Sequence, residues 1–268
     1  MPTGRGSIGA SIPRRCTTTA GIGEALAVTL RIDIARLPAE ALGIPADCYV
    51  VVDVLRATTT IATLFQAGME SLLAAGRIEL ARERARVDGR LLFGEVDGLR
   101  PEGFDFGNSP VEAAQAAVAG RGGVLFTTNG TSALCALAGR GTVVSGAIAN
   151  LNAVAVFARQ FEWVVVVCAG NVQGTVFSEE DFAASGAIVG RLLAIEPTVA
   201  PGEQARAASA LNATAEISRT PHAGLLRDLG LGADVEFSAR ADTSQAVPVV
   251  VEFGDGWALL RDALSQNT

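Results

Sequence analysis

Residues 49–60, "YVVVDVLRATTT", carry the reading of the fold. An apolar run from Tyr49 to Val52 ends abruptly in Asp53, Arg56, Thr58, Thr59 and Thr60. Runs of β-branched residues of this length read as strands covered on both faces. The alanine- and leucine-rich "IATLFQAG" that follows reads as a helix. The pattern recurs where "GGVLFTTNGT" leads into "SALCALAG". It recurs again where "WVVVVCAG" leads through "NVQGTVF" into "SEEDFAASGAIVGRLLA". Strand, polar loop and helix in alternation predict a three-layer α/β/α fold with a mostly parallel sheet. Setting Gly68 opposite Gly139 brings Thr60 opposite Thr131, a match compatible with an internal duplication of the first two units. In such sheets ligands sit beyond the carboxyl ends of the strands, where all of these polar loops fall.

The 268 residues suit one large domain, read here as residues 29–268, after a loose, glycine- and threonine-rich tail or misplaced start over residues 1–28. The tail of the domain, "AVPVVVEFGDGWALLRDAL", reads as an edge strand and a final element. "TVAPGEQARAASALNATAEISRTPHAGLL" reads as a helical cover. A net charge of -7 and the absence of lysine argue against a nucleic-acid partner and remove lysine Schiff-base chemistry. Cys16, Cys48, Cys135 and Cys168 are widely spaced, which gives no zinc site and suits a reducing cytoplasm. No apolar run is long enough to span a bilayer. A homodimer is compatible with the acidic surface and apolar content.

Four clusters carry candidate chemistry. In "DVLRATTT", Asp53 is a metal ligand or nucleophile and Arg56 an anion clamp. Thr58, Thr59 and the first N–H groups of the helix would cradle phosphate oxygens. The competing reading is an Asp–Arg pair with a threonine cap. In "GFDFGNSPVEAA", Ser109, Pro110 and Glu112 form a complete helix start, so Ser109 is explained as a cap. Asn108 and Asp105 are not explained in this way, and Glu95 ends the apolar run before them. In "FTTNGTSAL", Thr127, Thr128, Asn129, Gly130 and Thr131 make either an anion nest or a cap and turn. In "SEEDFAASG", Ser178 and Asp181 read as a capping box, and the acids suit the start of a helix. Acids beside a phosphate site also call for a hard cation such as Mg²⁺. Cys168 reads as core. His222 is the sole histidine, which excludes a zinc site or a phosphatase built on several histidines. No Cys-x5-Arg loop exists, and Leu55 replaces the second acid of a haloacid dehalogenase loop.

Taken in order, "DVLRATTT", "GFDFGNSP", "TTNGT" and "CAGN…SEED" resemble the 2-phosphosulfolactate phosphatase family, as does the tail "TPHAGLLRDLGLGADVEFSARADTSQAVP". The resemblance covers roughly residues 47–251. It implies a Mg²⁺-dependent phosphatase that converts (R)-2-phospho-3-sulfolactate to sulfolactate and phosphate, in methanogens a step toward coenzyme M. By that resemblance Asp53 and Arg56 are catalytic, and Asp53, Glu95, Glu180 and Asp181 hold the metal. Thr58, Thr59, Asn108, Thr128, Asn129, Gly130 and Thr131 bind a small anionic phosphate ester. "GEVDG" stands where a "GER"-like segment is usual. "SEED" stands for "SLED", so the acidic role passes to Glu180 and Asp181 and not to Glu179. The alternatives are a phosphatase for another 2-phospho-hydroxy acid, or a non-catalytic anion-binding module.

Overall fold

The computed structural model describes Gly6–Ser7 and residues 29–265. The tail read over residues 1–28 otherwise lies outside the described residues. The strands are β1 (Gly6–Ser7), β2 (Arg31–Ala35), β3 (Cys48–Val52), β4 (Ser71–Ala75), β5 (Leu91–Gly94) and β6 (Gly122–Phe126). After them come β7 (Thr142–Gly146), β8 (Trp163–Cys168), β9 (Ala200–Pro201), β10 (Pro248–Gly254) and β11 (Trp257–Asp262). The helices are α1 (Pro38–Ala41), α2 (Ala57–Gln66), α3 (Ile78–Asp88), α4 (Pro110–Gln115), α5 (Gly130–Leu137) and α6 (Leu151–Ala158). The remainder are α7 (Glu179–Ile195), α8 (Glu203–Ser209), α9 (Ala213–Ile217), α10 (Pro221–Asp228) and α11 (Gly232–Ser238).

All strands join one sheet in the order β5-β6-β4-β11-β10-β7-β3-β8-β2-β9, with β1 added on β10. The pairings within β5-β6-β4 and within β7-β3-β8-β2-β9 are parallel. Those of β11 with β4 and of β10 with β11 and β7 are antiparallel. The chain end is therefore not an edge strand. It is a hairpin at the middle of the sheet, turned at Asp255–Gly256, that joins two parallel blocks. Edge placement fails because Val249, Val250, Ala258 and Leu260 are all buried and need cover on both faces.

Alternate residues of the same strands enter different cores. Cys48, Val50, Val52, Val164 and Val166 pack with α6 and α7, while Tyr49, Val51, Val165 and Val167 pack with α2 and α5. On the second block, Leu73, Leu92 and Val124 pack against Ala81 and Ala85 of α3. That division is the three-layer arrangement expected from uninterrupted β-branched runs. The expected helical cover over residues 198–226 is α8, α9 and the first turns of α10, whose Ala205, Ala208 and Ile217 join the α7 core.

Three antiparallel pairings separate the two parallel blocks, so they run in opposite senses. Their loops nonetheless meet, as three hydrogen bonds show. Val54 N donates to Asp181 Oδ1 (2.9 Å), Arg56 Nη2 to Gly98 O (2.6 Å) and Thr128 N to Glu95 Oε1 (2.8 Å). The loops after β3, β5, β6 and β8 thus meet in one place. The order has the same form on either side of the hairpin: β4 and β5 flank β6, as β7 and β8 flank β3. Thr58 Oγ1 bridges Asp53 N and O, and Thr131 Oγ1 bridges Thr127 N and O. Thr58 and Thr131 thus brace their loops in the same way.

Candidate active site

A carboxylate at the end of a buried strand must be paired or charged at a cost. Asp53 leaves β3 buried, and its Oδ1 accepts from Ala57 N at 3.2 Å, the first N–H of α2. The start of α5 presses on the same group. A Cβ on Gly130 would stand 2.6 Å from Asp53 Oδ2 and 2.7 Å from Ala57 Cβ, so this close approach requires glycine. Burial raises the Asp53 carboxyl to about 6, and the Glu95 charge adds to the rise. The N–H groups of Ala57 and Gly130 and the charge of His222 oppose it.

Asp181 comes from the first turn of α7. Its N–H is capped by Ser178 Oγ at 3.1 Å, as the spacing predicts. Its carboxylate does not return to the cap. Oδ1 accepts from Val54 N and Oδ2 from Gly170 N, tying the ends of β3 and β8. Burial lifts this carboxyl well above the usual range, and the charges of Asp53 and Glu180 lift it further. Glu180 is buried and its carboxylate makes no hydrogen bond among the described residues, whereas Glu179 is exposed. Glu95 is held at both oxygens, by Thr128 N and by Gly98 N.

Arg56 does not pair with Asp53. Its Nη1 lies 2.7 Å from Asp234 Oδ2 in an ion pair with both side chains 3% exposed, and its Nη2 donates to Gly98 O. The second oxygen of Asp234 accepts from Ser109 Oγ at 2.6 Å. Ser109 also caps α4 through Glu112 N. The Glu112 carboxylate reaches Gly107 N and leaves the Ser109 N–H alone. Asp105, left open by the motif, accepts from Leu92 N and so has a structural role.

The expected substrate-binding residues divide in two. Thr58, Thr59 and Thr131 are fully buried, and their hydroxyls bind the backbone of their own loops, which they brace. A hydroxyl in a first turn takes the nearest free carbonyl, and loop geometry supplies one in each case. Thr128, Asn129 and Gly130 remain beside Asp53 and Glu95 at the start of α5. Asn129 Oδ1 and Asn108 Oδ1 are buried without a hydrogen-bond partner among the described residues. Cys168 is core: it touches Ser185, and burial pushes its thiol up, out of the reactive range.

The four expected metal ligands gather in one region. Among the described residues, however, no three Asp, Glu, His or Cys side chains converge closely enough to hold an ion by themselves. Two residues of the site were not singled out from the motifs. His222, in the first turn of α10, acts on the Asp53 charge. Asp234 lies on the buried face of α11 with Val235 and Ser238. An acid on such a face demands a cationic partner, but the partner is 178 residues away in the chain.

The charged side chains buried among the described residues are Asp53, Arg56, Glu95, Glu180, Asp181 and Asp234, and all six lie in this cluster. The model of the 2-phosphosulpholactate phosphatase family matches residues 35–252. The chain belongs to that family. It is 37% identical over 215 residues to a probable 2-phosphosulfolactate phosphatase of Thermotoga petrophila, covering 77% of this chain and 91% of the relative. A relative of the same name from Thermus thermophilus is 38% identical over 229 residues, covering 82% and 94%. One from Deinococcus radiodurans is 39% identical over 218 residues, covering 78% and 90%. The protein is thus an enzyme of the phosphoric monoester hydrolase class. Among the described residues no helix is long and apolar enough to cross a membrane.

Proposed function

We propose that this enzyme releases phosphate from 2-phosphosulfolactate, with Mg²⁺ bound beside Asp53. The observation that carries the reading is the collection of all described buried charge where the carboxyl ends of both parallel blocks meet, in a chain whose relatives bear that name. Five carboxylates against one guanidinium would repel a substrate bearing phosphate, carboxylate and sulfonate groups. Burial raises the pKa values of Asp53 and Asp181, and the neighbouring carboxylate charges raise them further.

The donor set fits a hard cation. Mg²⁺ commonly takes one or two carboxylates and completes its shell with water and phosphate oxygens, so a closed protein cage is not required. Asp53, and Glu180 with its free carboxylate, would hold it. Bound there, it would neutralise charge on the phosphoryl oxygens.

The chain's own groups do the rest. The first N–H groups of α2 and α5 are turned on Asp53 itself and fix its carboxylate beside the phosphoryl group. Thr128 and Asn129 lie at the start of α5, and the unpaired Asn129 Oδ1 marks an amide awaiting a partner. Arg56 has five N–H donors, of which two bonds to protein are seen, leaving donors for the substrate. Asp53 serves as ligand or as attacking carboxylate.

Phosphate release should be measured on 2-phospho-3-sulfolactate, phospholactate and 2-phosphoglycerate, with Mg²⁺ and with chelator. The sulfonate-bearing ester should give the highest kcat/KM, and chelator should abolish turnover. Preference for a substrate without the sulfonate would move the assignment to another 2-phospho-hydroxy acid. Binding without release would leave an anion-binding module.

A further inference from the structure

We infer that Asp234, on α11, is a positioning residue of this active site: it orients Arg56 and, through the loop at Gly98, the Glu95 carboxylate. The inference rests on the proposed phosphatase reading and extends it to a residue outside the four motif loops.

A continuous run of hydrogen bonds carries the argument. Ser109 Oγ donates to Asp234 Oδ1 at 2.6 Å, and Asp234 Oδ2 receives Arg56 Nη1 at 2.7 Å. Arg56 Nη2 donates to Gly98 O at 2.6 Å. Gly98 N donates to Glu95 Oε2, and Glu95 Oε1 receives Thr128 N, each at 2.8 Å. One acid therefore links the start of α4, the loop after β3, the loop after β5 and the loop before α5. The end of α10 closes over the join: a Cβ on Gly98, at φ +81°, would lie 3.8 Å from Leu226 Cδ2 and 3.0 Å from Leu229 Cδ1, just past the helix.

Stability alone is a weak reason for such a pair. Desolvation of two charges offsets most of their attraction, and apolar side chains of like size hold a fold as well. Geometry is the stronger reason. With one edge fixed by Asp234 and Gly98, the guanidinium cannot rotate, and its remaining donors keep one direction. Arg56 also immediately precedes α2, whose first N–H holds Asp53 Oδ1.

The test is a double-mutant cycle on the full chain, with kcat, KM, melting temperature and amide hydrogen exchange read for native, Asp234→Asn, Arg56→Lys and the double variant. Asp234→Asn should lower kcat about tenfold or more with a smaller change in KM. In the Arg56→Lys background the same change should cost less than about threefold, because the residue it acts through is already altered. Exchange at Gly98 and Thr128 should quicken. If Asp234→Asn does not fold, Asp234→Glu keeps the charge and displaces it by one methylene; it should keep its melting temperature and still lose kcat about fivefold. Unchanged kcat per folded molecule, or equal losses in both backgrounds, would overturn the inference. Should the native enzyme release no phosphate from any ester, the functional reading fails by itself. Exchange then judges the positioning, and unchanged exchange at Gly98 and Thr128 would refute it.

Discussion

The Asp53 carboxylate receives N–H groups from two helix starts, yet burial still holds its pKa near 6, above the ordinary 3.8. The sign of the linkage follows. Between about pH 4 and 6 the folded chain keeps a proton that the unfolded chain has lost. The stabilising contribution is therefore present below pH 4 and lost as pH rises through about 6. In chelator-treated protein, the unfolding free energy of the native chain relative to Asp53→Asn should fall across that window, by on the order of 3 kcal/mol. The Asn variant should be at least as stable as native at pH 7.5 and should release no phosphate. A markedly less stable Asn variant at that pH would mean the charge is net stabilised by its neighbours. Asp53 was legible because a charge at the end of an apolar run is costly in any fold. Thr58, Thr59 and Arg56 were legible as polar groups at that strand end, but the protein groups they bind were not. A hydroxyl's partner and a guanidinium's partner depend on where carbonyls and acids lie after folding.

Among the elements, α7 shows how a local signal serves a distant purpose. Ser178 caps the helix through Asp181 N, as "SEED" predicts, while the Asp181 side chain leaves the cap to bind Val54 N and Gly170 N. Ser178→Ala should cost about 1 kcal/mol, read as a fall in melting temperature of about 2–4 °C. Because Asp181 remains tied to both strand ends, kcat/KM should stay within about threefold of native. A large kinetic loss with an unchanged melting temperature would make Ser178 a substrate contact. The hairpin of β10 and β11 is the element that local pattern misplaced. Alternation along a strand tells which faces are covered, and says nothing about which neighbours cover its edges.

At the scale of the molecule, two parallel blocks running in opposite senses deliver their loops to one acidic cluster. Its excess of negative charge predicts that the folded protein gains stability from a divalent cation. Millimolar Mg²⁺ should raise the melting temperature of the native enzyme at pH 7.5, by an amount that grows with its concentration. The rise should be much smaller for Asp53→Asn. An equal rise in both would place the ion elsewhere. Full phosphate release in chelator would remove it from the reaction.

The sequence by itself determined the layer architecture and four of the loops that form the site. These follow from periodicity and from the cost of burying charge, and both act over a few residues. It also placed the chain in its family. Tertiary structure alone decided that the chain end lies at the centre of the sheet and that Arg56 pairs with Asp234. Those outcomes join residues far apart in the chain, and depend on how the two blocks are assembled around the hairpin. No local pattern encodes the partner of a charge 178 residues away.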